Sequence, residues 1–156
     1  MIRVQREDFD VGAEMRALSA GDTGIGGLAS FVGLVRDMTG GTGPSAMTLE
    51  HYEGMTQKQL AEVEAEARRR WELSGVTLIH RFGRLEPGDQ IVLVLTASPH
   101  RQAALESCAF LIDWLKTRAP FWKLEETPQG SHWVEARSSD DAAAARWTQD
   151  TDKLRS

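Results

Sequence analysis

Q-I-V-L-V-L-T-A-S-P-H-R-Q-A-A-L-E-S-C-A-F-L-I-D-W-L-K-T-R-A-P-F-W-K-L-E-E, from Gln90 to Glu126, runs strand, helix and strand in one passage. Ile91 to Leu95 is an unbroken apolar run. It is far too short to span a bilayer and reads as a buried strand. Pro99 then precedes a helix that begins at about His100 or Arg101 and reaches Arg118. Helical spacing puts Leu105, Cys108, Leu111, Ile112 and Leu115 on its buried side. Pro120 ends that helix, because it lacks an amide donor and disfavours helical geometry at Ala119. The runs F-W-K-L-E-E and H-W-V-E-A-R, separated by T-P-Q-G-S, read as a hairpin.

Working outward, V-T-L-I-H-R-F-G is a further strand, joined to Q-I-V-L-V-L-T-A-S by L-E-P-G-D, whose Pro-Gly pair signals a turn. Upstream, Thr56 and Gln59 have the spacing of a capping box opening a helix with Leu60, Val63, Ala67 and Trp71 as its apolar stripe. Gly75 closes that unit. The chain starts with a strand over Ile2 to Gln5 and a helix opened by Asp10 that carries Val11, Met15 and Leu18. G-L-A-S-F-V-G-L-V-R follows as a strand ending on Arg36, with Phe31 and Val35 alternating against Val32 and Leu34 as in a strand buried on both faces. The loop over 37–45, opened by Asp37 and closed by Ser45, is rich in glycine. It lacks the spacing of any phosphate-binding fingerprint, so plain flexibility is its first reading. A last helix is expected from Asp140 to Trp147. Elements mix without strict alternation and several strands pair as hairpins. The expected class is therefore α+β, with a largely antiparallel mixed sheet. The expected organisation is one domain over 1–147 and a polar tail over 148–156.

A chain of 156 residues with a formal net charge of −5 does not suit a general nucleic-acid binder, which needs a basic surface. Its one cysteine, Cys108, excludes an internal disulfide and sits at an apolar helical position, where a core thiol is expected. No apolar leader or membrane-spanning run is legible, so the expected location is the cytoplasm. His51, His80, His100 and His132 lack the spacing of a metal site, and no metal is expected.

Basic residues collect where elements begin and end: Arg36 after a strand, His100 and Arg101 at a helix start, Lys116 and Arg118 at its end, and Lys123 beyond Pro120. Free amides at a helix start favour anions. Lys116 and Arg118 also have a plain explanation, since cations complement the end of a helix dipole, and Lys123 would pass as a surface lysine. The functional reading rests on the apolar Pro120-Phe121-Trp122 turn, which would desolvate an amine and fit it for base or nucleophile chemistry.

The ordered set T-L-E-H-Y-E-G-M-T, H-R-F-G-R-L-E-P-G-D, L-K-T-R-A-P-F-W-K and W-V-E-A-R resembles the large, catalytic subunits of molybdopterin synthases, from about Val4 to Trp147. That resemblance implies a sulfurtransferase of molybdenum cofactor biosynthesis, needing no cofactor of its own. Its substrate would be cyclic pyranopterin monophosphate, also called precursor Z. The sulfur would come from the C-terminal thiocarboxylate of a small ubiquitin-like subunit, within a heterotetramer built on a central dimer of large subunits. The resemblance makes Lys116 the leading general acid/base and Lys123 its assistant. Arg36, His100 and Arg101 would hold phosphate and pterin, with further substrate contacts near Leu34, Val35, Leu124 and Glu125. Arg137 would arrive from the neighbouring large subunit. Leu34 departs from relatives that carry lysine there. Two other readings fit a basic pocket: a transferase for another phosphate-bearing ligand, and a non-catalytic scaffold for a ubiquitin-like partner.

Overall fold

The computed structural model describes residues 1–37, 39–41, 43, 45–134 and 142–148. In chain order the elements are β1 (Ile2–Gln5), α1 (Val11–Ser19), β2 (Gly27–Leu34), β3 (Ala46–His51), α2 (Met55–Arg70), β4 (Gly75–Arg81), β5 (Gly83–Leu85), β6 (Gln90–Ser98), α3 (Arg101–Arg118), β7 (Phe121–Thr127) and β8 (Gly130–Val134). Residues 142–148 form a fourth helix, α4. The strands make two four-stranded sheets, ordered β1-β4-β6-β2 and β5-β3-β7-β8. Only β1 with β4 is parallel among the described pairings; the rest are antiparallel. The expected α+β class with a largely antiparallel arrangement is what the chain adopts.

The apolar run in β6 is central to the first sheet and buried on both faces, which is why it reads as continuous rather than alternating. Val92 and Val94 face a core shared with Leu60, Val63 and Ala67 of α2 and Ala104, Cys108 and Leu111 of α3. Leu93 and Leu95 face the other way, against Phe9 and the α1 residues Val11, Met15 and Leu18. Asp10 caps α1 through its carboxylate and the Ala13 amide.

The second sheet begins where the first ends. Between β4 and β5 the chain changes sheets across Phe82 alone, so the strands flanking L-E-P-G-D are not a simple hairpin. A third core of Val35, Met47, Leu49 and Leu85, with Phe82 and Ile91 against it, bridges the two sheets.

Several expectations need correction. Of the residues expected on the buried side of α3, Cys108, Leu111 and Leu115 are buried, but Leu105 is 63% exposed and the neighbouring Ala104 takes its place in the stripe. Strand β2 is an edge strand, so Phe31 and Leu34 are exposed rather than buried on both faces. Its pairing shifts at Gly33/Leu34 and the strand stops at Leu34, before Arg36. No capping box forms on α2. Gly54, at φ 81, takes the N-cap position, a conformation that favours glycine, while Thr56 is fully buried inside the first turn. Gly75 does not close the α2 unit but opens β4; the helix cap is Trp71. Asp140, expected to start the last helix, lies outside the described residues.

Candidate functional site

Helix α3 decides which cations meet. It leaves the C-terminal end of β6 and returns along the sheet, so His100 and Lys116 sit at opposite ends. Sixteen residues at 1.5 Å rise hold them about 24 Å apart. The chain therefore does not bring His100 and Arg101 to Lys116, and two separate clusters result.

The first cluster lies at the end where β4 finishes and β6 begins. His80 is level with Val92 and Gly33 across the sheet, placing it on the α3 face. Its ring stacks on Phe121 at 3.7 Å between centroids and 14° between planes. Phe121 is the first residue of β7, delivered there by the stop at Ala119 and Pro120, where the Phe121 amide folds back onto the Ala119 carbonyl. Burial is the main cause that lowers the His80 pKa to about 4; the Lys116 charge and His51 push the same way, and the bond to the Arg81 carbonyl opposes them. Lys116, exposed in the last turn of α3, is thus within electrostatic reach of His80.

Lys123 stands two residues beyond Phe121 on the same strand face, about 7 Å further along. It pairs across β3 with Leu49, and Phe121 pairs with His51, so these side chains share the inner face of the second sheet. Lys123 Nζ is 3.6 Å from Glu125 Oε1, and its side chain is 35% exposed. Glu125 lies on the same inner face, while Leu124 is on the opposite one. Val35 is buried in the bridging core beside Leu49. Its amide donates to the Asp89 carbonyl, and its carbonyl accepts from the Gly88 amide. Val35 thus positions the exposed Arg36 next to the strand that partners Lys123. Leu34, 55% exposed, offers an apolar side chain at this end.

Phe121 spends one face on His80, and Tyr52 packs on Trp122 at 4.6 Å.

The second cluster is the start of α3. Ser98 is fully buried; its hydroxyl donates to the Glu72 carbonyl and accepts from the His100 amide. Gly26 lies against Pro99 so closely that a Cβ there would come within 2.1 Å of the Pro99 carbonyl oxygen, which explains the glycine. His100 and Arg101 are exposed on this rigid base, with His100 Nε2 at 3.8 Å from the Glu72 carboxylate. Arg137 lies outside the described residues.

Sequence reasoning passed over His51 and His80 by asking of them only whether they could bind metal. The position of His80 at the end of a strand, followed by R-F-G, is the signal that could have found it. No group of three or more potential metal-ligating His, Cys, Asp or Glu side chains occurs among the described residues. In the loop over 37–45, the Thr39 amide and hydroxyl both donate to Asp37, and these bonds hold its carboxyl below the usual range. A cleft of about 380 Å³ between α2, α3 and α4 lies apart from Lys123 and Arg36. Its Glu66 is taken up by Arg69 and Arg70, so it is not the catalytic candidate. Cys108 is buried and its thiol is pushed up to about 11, which leaves it unreactive. No helix among the described residues is long and apolar enough to cross a membrane.

Comparison with known proteins gives this arrangement its context. The model of the MoaE protein family matches residues 4–118. The chain is 56% identical over 146 residues to a molybdopterin synthase catalytic subunit of Pseudomonas aeruginosa, covering 94% of this chain and 97% of that one. It is 53% identical over 146 residues to the protein of that name in Escherichia coli, with the same coverage of each. Among solved structures, a molybdopterin biosynthesis MoaE protein from Burkholderia ambifaria superposes with a TM-score of 0.79 at 55% identity, covering 94% of this chain and 97% of that one. A complex of subunits 1 and 2 of the molybdopterin-converting factor from Helicobacter pylori shares the fold, with a TM-score of 0.73 at 20% identity over 88% of this chain and 92% of that one. On a family match of this extent, and on relatives this similar over nearly their whole length, the chain belongs to the MoaE family.

Proposed function

We propose that this chain is the catalytic subunit of a molybdopterin synthase and moves sulfur from the C-terminal thiocarboxylate of a small ubiquitin-like subunit onto precursor Z. What supports the reading is that the stop at Pro120 sends the chain from Lys116, in the last turn of α3, into the strand that carries Lys123, and that Val35, just before Arg36, is buried beside Leu49, the cross-strand neighbour of Lys123. Both reactants are anions, a phosphate ester and a thiocarboxylate, and fixed cations would orient them and stabilise charge as sulfur leaves the carbonyl carbon. Lys116 is the general acid/base. Lys123, steadied by Glu125, assists it and holds substrate. Leu124 faces away, so only its backbone would touch substrate, and the buried Val35 likewise contributes placement.

His100 and Arg101 enter through the assembly. Since α3 holds them about 24 Å from Lys116 in one chain, they complete the site of the neighbouring large subunit in a dimer, together with Arg137. The complete enzyme is then a heterotetramer with one small subunit at each outer end, working in the cytoplasm without a cofactor.

The test is to mix the chain with thiocarboxylated small subunit and precursor Z and to look for molybdopterin. Product is expected. Binding of the partner without loss of its sulfur would favour a scaffold instead, and no product with the authentic partner would remove the function.

A further inference from the structure

The stretch T-L-E-H-Y-E-G-M-T, from Thr48 to Thr56, ends β3 and opens α2, and the proposed chemistry leaves it unused. Its last residue fixes two others. Thr56 is fully buried, and its amide and hydroxyl both donate to the Tyr52 carbonyl, at 3.0 and 2.8 Å. With the hydroxyl proton so used, the 3.1 Å contact between Thr56 Oγ1 and His51 Nδ1 has the imidazole as its donor. One buried threonine therefore holds the consecutive residues His51 and Tyr52.

These two project to opposite faces of the second sheet. On the inner face His51 pairs across the strands with Phe121, with ring centroids 5.7 Å apart, and its ring also lies 4.6 Å from that of Phe82. On the outer face the Tyr52 ring lies 4.6 Å from that of Trp122, whose cross-strand partner is Glu50. Tyr52 is 59% exposed, so its ring adds little to any core. Phe121 and Trp122 are the two residues that separate Pro120 from Lys123.

The strand gripped in this way has no buried anchor of its own, since every residue of β7 is partly exposed. Register is weakly specified in such a strand, and a slip of one residue against β3 would carry Lys123 from the inner face to the outer one. Two rings met by two different partners, Phe121 by His51 and Trp122 by Tyr52, fit one register only.

We propose that His51 and Tyr52 are positioning residues for Lys123: held together by Thr56, they clamp Phe121 and Trp122 from opposite faces of the sheet and set the register that turns Lys123 inward. This deepens the sulfur-transfer reading and rests on it for the rates that follow.

The variants to compare are Tyr52→Ala, which removes a largely exposed ring, and Tyr52→Phe, which keeps the ring. His51→Asn keeps a donor for Thr56 and loses the ring on the inner face. In the full-length protein, Tyr52→Ala and His51→Asn should weaken the cross-strand NOE between Leu49 and Lys123 while leaving that between Leu78 and Val94 of the first sheet intact. Each should slow sulfur transfer about tenfold, and Tyr52→Phe should stay within about twofold of the wild type. Placed in a Lys123→Ala background, Tyr52→Ala should cost less than about twofold more, because there is no lysine left to position.

A folded Tyr52→Ala protein with the wild-type rate, or with an unchanged Leu49 to Lys123 NOE, would overturn the proposal. So would a tenfold loss that recurs in full in the Lys123→Ala background, because that is a general structural effect. If the wild type itself transfers no sulfur with its authentic partner, the functional reading falls, and the NOE alone decides whether the two rings set the register of β7.

Discussion

The two ends of α3 carry the same kind of charge on different foundations. At its C-terminal end Lys116 is followed across the Pro120 stop by Phe121, stacked on His80 of β4, and by Lys123 on β7, while Arg36 follows the buried Val35 just beyond the end of β2. At its N-terminal end, His100 and Arg101 stand exposed on a base made rigid by Ser98 and by the close approach of Gly26 to Pro99. One end has the mixed charges and aromatic rings of a reaction centre. The other has Arg101, His100 beside the Glu72 carboxylate, and a helix start, which suits holding an anion. On the proposed reading, the difference means that one chain would supply two half-sites rather than one whole site.

If the lysine end is the reaction centre, Lys116→Ala should lower the rate of molybdopterin formation by about 10²- to 10⁴-fold, as loss of a general acid/base does. Binding of the small subunit, measured by calorimetry, should persist. A Lys116→Ala protein of undiminished rate would end the assignment. Lys123→Ala should cost less, about 10- to 100-fold, and should raise the KM for precursor Z as well, since this lysine is assigned to binding and to assistance. An effect on KM alone would make Lys123 a binding group only.

The separation of the two ends gives a sharper test. Lys116→Ala and Arg101→Ala proteins should each be impaired alone. When the two are unfolded and refolded together, half the dimers are mixed, and each mixed dimer has one intact site of its two if the ends combine across subunits. Activity should then return to about a quarter of the wild-type level. No recovery would mean that both residues serve the same chain's site, and the half-site comparison would fail.

The fold was largely legible, because it rests on local patterns of strong kind: the run from Ile91 to Leu95, the stripe from Leu60 to Ala67, and the stop at Pro120. What failed depended on neighbours. Leu105 has the right spacing to be buried but falls one position outside the stripe that meets β2 and β6. Phe31 looks like a core residue, and only the strand order reveals that β2 is an edge. Thr56 and Gln59 match a capping pattern, yet Gly54 takes the cap. For the site, the residue types were readable at Lys116, Lys123, Arg36, His100 and Arg101. Their grouping was not, since the length of α3 was in view but its course along the sheet was not. His80 escaped notice because its place at the site comes from a stack on Phe121, 41 positions later in the chain.

The smallest effect is thermodynamic and comes from that same histidine. An unfolded imidazole takes up a proton near 6.5, whereas His80 in the fold does so only near 4. Between these values the unfolded chain holds more protons, so lowering the pH favours unfolding. The stabilisation from keeping His80 neutral is intact above about 6.5 and declines progressively toward 4, by about 2–3 kcal/mol once the ring's residual contact with solvent is allowed for. The carboxylates of Asp8 and Glu66 have pKa values lowered chiefly by side-chain hydrogen bonds from Gln90 and Arg70, respectively. Their contributions are present above the ordinary carboxylate range and are lost as pH falls through it, so they act mainly below the His80 window. Urea unfolding at pH 7, 6, 5 and 4.5 should therefore show stability declining in the wild type and declining much less in His80→Phe, where no ring can take up the proton. Parallel declines in the two proteins would place the acid sensitivity elsewhere. They would also remove the reason for regarding the lysine end as the part of the molecule that depends on a neutral imidazole.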